Sequence, residues 1–130
     1  MSILMVQEFA KKFELPAEDK PRFACDGDIK FRIDRLYEEV GEAHDAHAFN
    51  DLVGFFDALL DLAYVTYGTA LRVGITPEQW GRGFAEVHKA NMAKVKVTDV
   101  DDSRFKNVND IIKPKGWVGP EQELRKIIYG

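Results

Sequence analysis

The chain has 130 residues, is 45% apolar and 31% charged, and sets 18 Lys and Arg against 22 Asp and Glu for a formal charge of −4. This composition fits a single globular domain over residues 1–130, large enough to hold a core without staples, and the lone Cys25 excludes an intramolecular disulfide. The acidic balance argues against nucleic acid as a partner, and the absence of a signal-like N-terminus or of roughly 20 consecutive apolar residues argues against a membrane. The expectation is a soluble, cytoplasmic protein.

The spacing of Ile3, Val6, Phe9, Ala10 and Phe13 predicts a first helix over residues 2–13, interrupted by Pro16 and the polar stretch around it. A second helix is predicted from about Asp28 to Phe49, with Ile33, Leu36, Tyr37, Val40, Ala43 and His44 as its apolar stripe. Asn50 and Asp51 offer capping oxygens for a third, over residues 51–73, that ends before Gly74. Thr76, Pro77 and Gln79 make a capping-box start for a fourth, which runs to about Lys94. Residues 95–120 lose the helical period and read as an ordered loop or short hairpin, with Phe105 and Trp117 available for packing. Pro120 opens a short terminal helix carrying Leu124, Ile127 and Ile128.

Charge is unevenly spread along these elements. Residues 1–35, 36–71 and 72–130 carry 0, −7 and +3, and the middle segment holds no Lys or Arg. Within it, the third helix is apolar almost all the way round, which makes its acids anomalous. Asp57 and Asp61 are one turn apart, about 40 degrees around the axis. Crowded carboxylates in a desolvated setting need a cation or donors. An Arg or Lys from another helix, or the Tyr64 and Tyr67 hydroxyls, would serve as well as a metal. On the second helix Glu38, Glu39 and Glu42 converge at three- and four-residue spacing, roughly 100 to 160 degrees from the apolar stripe. Taken alone this is a solvated face. Together the five acids make a hard oxygen-ligand set suited to Mg2+ or Mn2+. One Cys and three dispersed His give no zinc spacing, and neither Glu39 nor Glu42 has a His three residues on, as a di-iron site requires. Farther along, Asn91 and Lys94 share a face of the fourth helix. Lys113 and Lys115 flank Pro114 near Trp117, so an anion and a stacked base are plausible ligands there.

These motifs in order resemble the all-α nucleoside triphosphate pyrophosphohydrolases, the superfamily of MazG, dimeric dUTPases and phosphoribosyl-ATP pyrophosphohydrolase, with short MazG-like proteins of bacteria and phages nearest. The resemblance covers roughly residues 30–120: Glu38-Glu39-Val40-Gly41-Glu42, then Asp57 to Asp61, then Asn91 to Lys94, then Lys113 to Trp117. It departs where many relatives carry Glu three residues before the second-helix Asp, a position filled here by Ala58. The resemblance implies an all-α, four-helix-bundle-like fold with an irregular C-terminal tail, assembled as a homodimer or homotetramer. It also implies Mg2+-dependent cleavage of a nucleoside triphosphate, preferentially a deoxynucleoside triphosphate, between the α and β phosphates. Glu39, Glu42, Asp57 and Asp61 would hold the metal, with Glu38 orienting or deprotonating water. Asn91, Lys94, Lys113 and Trp117 would bind substrate. The same chemistry on phosphoribosyl-ATP, and a non-catalytic helical assembly module, are the alternatives.

Overall fold

The computed structural model describes residues 2–130. Among these residues are five α-helices, α1 (Ser2–Lys12), α2 (Asp26–Ala48), α3 (Leu52–Arg72), α4 (Pro77–Met92) and α5 (Glu121–Tyr129), and one antiparallel pair, β1 (Val95–Lys96) with β2 (Ile111–Ile112). The all-α class with a short irregular tail is therefore what the chain adopts. No described helix is long and apolar enough to cross a membrane. The chain divides into two compact units, Met1–Pro77 and Glu78–Gly130.

In the first unit, three helices end in the same way. The residue after each C-cap takes a left-handed conformation, at Glu14 (φ 52°), Asn50 (φ 55°) and Gly74 (φ 83°). The amide of the following residue then reaches back to a carbonyl of the last turn: Leu15 to Ala10 at 2.9 Å, Asp51 to Ala46 at 2.8 Å, Ile75 to Ala70 at 3.0 Å. These are Schellman caps, which satisfy carbonyls that the helix itself leaves orphaned. At Gly74 no side chain is tolerated, because a Cβ would collide with the Lys20 carbonyl. Asp51 also caps the next helix, accepting from the Gly54 amide at 2.9 Å. One short turn thus closes α2 and opens α3.

Helices α2 and α3 run antiparallel, so that Asp28 meets Arg72 at one end and Glu39 meets Asp61 in the middle. Small residues at the contact, Ala43 and Ala58, are buried and let the helices approach closely. Helix α1 lies against α3 with Ile3 and Val6 buried. The inward face of α2 differs from its sequence stripe. Arg32, Leu36, Glu39, Ala43 and Ala46 turn in, whereas Ile33, Tyr37 and Val40 are exposed. This is a rotation of roughly 70 degrees about the helix axis. The apolar stripe therefore faces away from the intrachain core, and the glutamate motif, expected on a solvated face, places one member inside it.

The connector after α1 is tied to the end of α3. Glu18 and Arg22 amides donate to the Arg72 and Val73 carbonyls at 3.1 and 2.9 Å. The buried Arg72 guanidinium donates to Asp28 through Nε (3.0 Å) and Nη2 (2.6 Å), and to Glu18 through Nη1 (3.4 Å). These bonds raise the Arg72 pKa further above its ordinary value, the hydrogen bond to Asp28 contributing most.

In the second unit, Val97 is buried behind β1, and the loop that follows is organised around Ser103, which is 1% exposed. Its hydroxyl donates to Asp110 at 2.7 Å and accepts from the Phe105 and Asn107 amides. The expected packing role of Phe105 is not seen, its side chain being exposed; Trp117 does anchor the tail, its indole N–H donating to the Ala90 carbonyl of α4 at 2.7 Å. The Gln79 amide of α4 likewise donates to the Ile127 carbonyl of α5 at 3.3 Å.

Replacing Arg72 with Met, which keeps the aliphatic stem and removes three charged hydrogen bonds, should lower stability by about 2–3 kcal/mol in urea unfolding. Asp28→Asn should cost less, because Glu18 still holds the guanidinium.

Candidate metal centre

Glu39, Glu42 and Asp61 each offer a carboxylate oxygen, and these three oxygens lie within 4.8 Å of one another. Helix α2 supplies the first two at a three-residue spacing, and α3 supplies the third from the facing turn. Glu39 is 5% exposed, and one of its oxygens, Oε2, is buried without a hydrogen-bond partner among the described residues. Burial raises its pKa above the usual glutamate value, and the nearby Glu42 carboxylate raises it further. Arg35, one turn back with Nη2 at 3.6 Å, opposes both. Asp61 is raised in the same way, first by burial and then by Asp57 and Glu39.

A single exposed guanidinium on one side does not neutralise three acids, and a buried carboxylate oxygen with no donor is costly. The donor set is all oxygen, the choice of hard cations. Oxygen ligands at roughly 2.0–2.6 Å from an ion put opposite ligands about 4–5 Å apart, the scale of this cluster. The residues therefore fit a divalent cation, with Glu39 Oε2 the atom most in need of one.

The other sequence-derived site residues fall in several places. Asp57 is exposed and close enough to Asp61 to raise its pKa, but lies outside the three-oxygen cluster. Glu38 is exposed on α2 and also lies outside it. In the second unit Lys94 and Lys113 both place their ammonium groups on the Trp117 ring, 5.1 and 4.9 Å from its centroid. Neither lysine has an ion-pair partner among the described residues. Asn91 is exposed near the end of α4, and its carbonyl accepts from the Lys94 amide at 3.1 Å. The structure thus gathers three acids in one unit and two lysines with a tryptophan in the other. Arg35, the one basic group beside the acids among the described residues, was not singled out from the sequence. Its signal was available: it stands four residues before Glu39, one turn away on the same helix.

The family model described as phosphoribosyl-ATP pyrophosphohydrolase matches residues 6–91. The chain belongs to this family. No curated protein matches it. Membership makes the chain a nucleotide pyrophosphohydrolase and sets aside the reading as a non-catalytic helical module. The matched stretch contains all three clustered acids, buried Glu39, half-buried Asp61 and exposed Glu42, so this pyrophosphohydrolase carries its oxygen set within the family's own region.

Because folding raises the pKa of Glu39 and Asp61, the folded state holds protons that the unfolded chain releases. The contribution of these two acids is therefore favourable below the ordinary carboxylate range and is lost as pH rises from about 4 through their elevated folded values. Metal-free protein should melt at a higher temperature as Glu39→Gln than as wild type at pH 7.5, with the difference shrinking near pH 4. Added Mg2+ should raise the melting temperature of wild type and leave that of the variant unmoved.

Proposed function

We propose that the protein hydrolyses a nucleoside triphosphate, with a deoxynucleoside triphosphate preferred, between the α and β phosphates to give the monophosphate and pyrophosphate. Mg2+ is the proposed cofactor, with Mn2+ as a substitute. The observation that carries the reading is the buried Glu39 carboxylate, one oxygen unpartnered, facing Glu42 and Asp61. These three acids are the proposed principal ligands. Asp57 is proposed to assist from the next turn of α3, supported by its electrostatic effect on Asp61. A divalent cation held there supplies charge neutralisation on the phosphates and a lowered pKa for water.

The chain's own groups do the rest. Glu39 and Asp61 orient the site from two facing helices, and Arg35 holds Glu39 in place from one turn back. Glu38, next to Glu39 on α2, is the proposed group that orients or deprotonates the attacking water. Asn91, Lys94, Lys113 and Trp117 are proposed to contact the nucleotide. The support for this is the pair of lysines on one indole, with no carboxylate among the described residues paired to either ammonium. The Trp117 indole N–H donates to the Ala90 carbonyl, which fixes the ring on which the two lysines sit.

Homo-oligomerisation, as a dimer or tetramer, is proposed on the exposed apolar faces of α2 and α3. Ile33, Tyr37 and Val40 on one helix, and Val53, Phe56 and Leu60 on the other, are all at least 45% exposed in the single chain. Extended exposed apolar surface of this kind marks an interface. A second copy of the chain is the occupant proposed for it.

The test is incubation with Mg2+ and a panel of ribo- and deoxyribonucleoside triphosphates together with phosphoribosyl-ATP, followed by product analysis. Monophosphate and pyrophosphate are expected from a deoxynucleoside triphosphate. Turnover of phosphoribosyl-ATP alone would replace this substrate with the one in the family's description, and orthophosphate with a diphosphate would refute the cleavage position. Glu39→Gln and Asp61→Asn should each lower kcat/KM by on the order of 100-fold or more, and Lys94→Gln should act mainly on KM. Light scattering should give a mass above one chain for wild type and a smaller assembly for Tyr37→Glu.

A further inference from the structure

Next to the acids is a partly open cavity of about 150 Å3 lined by α1, α2 and α3 and by the connector after α1. Phe9, Phe31, Tyr64 and Leu71 form apolar walls, and Arg32 and Arg35 bring guanidinium groups into the lining. Phe9 and Tyr64 meet edge to face, ring centroids 5.5 Å apart and planes at 89°, which gives the cavity a fixed aromatic corner. The cavity lies one helical turn from the acids on both helices. Arg35 is four residues before Glu39 on α2, and Tyr64 is three residues after Asp61 on α3.

The three arginines around this space differ. Arg72 is engaged by Asp28 and Glu18, and Arg35 by Glu39. Arg32, half-buried, makes no ion pair among the described residues. Burial lowers its pKa below the ordinary arginine value, with Arg72 and Arg35 adding to the effect and Asp28 opposing it. Gly68 leaves room for it: a Cβ there would stand 2.9 Å from Arg32 Nη1, so a side chain at this position would push the guanidinium away from α3.

A guanidinium donates hydrogen bonds and accepts none. An apolar cavity of about 150 Å3 is large enough to take an aromatic ring. The ligand that meets both conditions is a planar ring with apolar faces and acceptor atoms on one edge. A phosphate fits less well, since it would surrender its hydration to mostly apolar walls. We infer that this cavity seats the nucleobase of the substrate, and that Arg32 selects bases presenting a carbonyl oxygen and ring-nitrogen acceptors over bases presenting an amino group. Guanine offers such an edge, with two acceptors side by side, whereas adenine and cytosine set an N–H2 donor against the guanidinium. The inference rests on the nucleotide pyrophosphohydrolase reading and adds a base preference to it.

Two measurements test it. In the first, metal-free wild-type protein is titrated calorimetrically with guanosine, adenosine, cytidine and inorganic phosphate. In the second, kcat/KM is measured for dGTP, dATP and dCTP with wild type, Arg32→Met and Gly68→Leu. Guanosine is expected to bind without metal, and phosphate is expected not to displace it. Wild type is expected to prefer dGTP by on the order of tenfold to a hundredfold, the discrimination typical of one bidentate arginine contact. Arg32→Met should level that preference, and Gly68→Leu should weaken all three substrates through KM. Turnover with a base preference unmoved by Arg32→Met, or displacement of guanosine by phosphate, overturns the inference while leaving the hydrolase reading intact. Guanosine binding in a protein that turns over no nucleotide does the reverse. The titration uses unaltered protein, so its result stands even where a variant fails to fold.

Discussion

A carboxylate removed from water beside two others is among the more expensive arrangements a small domain can hold, and the first unit is arranged around one. Glu39 lies on the inward face of α2, where small alanines bring α3 close enough for Asp61 to join it. Burial and the neighbouring carboxylates push the pKa of both acids up, so that in the absence of compensating charge each holds its proton more tightly than a free carboxylate does. Arg35 offsets part of that cost from the rim. The remainder is what the proposed cation would offset, and binding it would then tie the stability of this centre to occupancy of the site.

The opposite strategy appears at the far end of the same helix pair. There Arg72 is buried but fully engaged, with Asp28 and Glu18 closing around it and the connector's amides capping the α3 carbonyls nearby. One end of the α2–α3 pair is thus held by satisfied charge, and the middle is left with unsatisfied charge. A rigid frame around a frustrated centre keeps the acids from relaxing apart when no ligand is bound.

Much of this was legible from residue order. The helix boundaries fall within a few residues of those expected, because Asp51, Gly74 and Pro77 are local signals whose effect does not depend on tertiary context. The convergence of Glu39, Glu42 and Asp61 was also visible in the spacing of two short motifs, which pointed to five acids where the structure gathers three. The orientation of α2 was not. Its apolar stripe runs through Ile33, Tyr37 and Val40, and a periodicity argument assigns the most apolar face to the nearest core. In this chain that face is exposed, and the intrachain contact uses alanines, arginine stems and a glutamate. Periodicity records that a face is covered but not by which surface. For the same reason the cavity beside Arg32 left no trace in the sequence, since it is assembled from three helices whose relative rotation only the fold supplies.

The turn between α2 and α3 has a further consequence. Asn50 and Asp51 terminate one helix and start the next with no spare residue between the two caps. Inserting a single amino acid there would separate the two caps that Asp51 now serves at once, the amide that closes α2 and the carboxylate that opens α3. The length of this exposed connection is therefore set by two hydrogen bonds of one residue, although it lies outside the acid cluster.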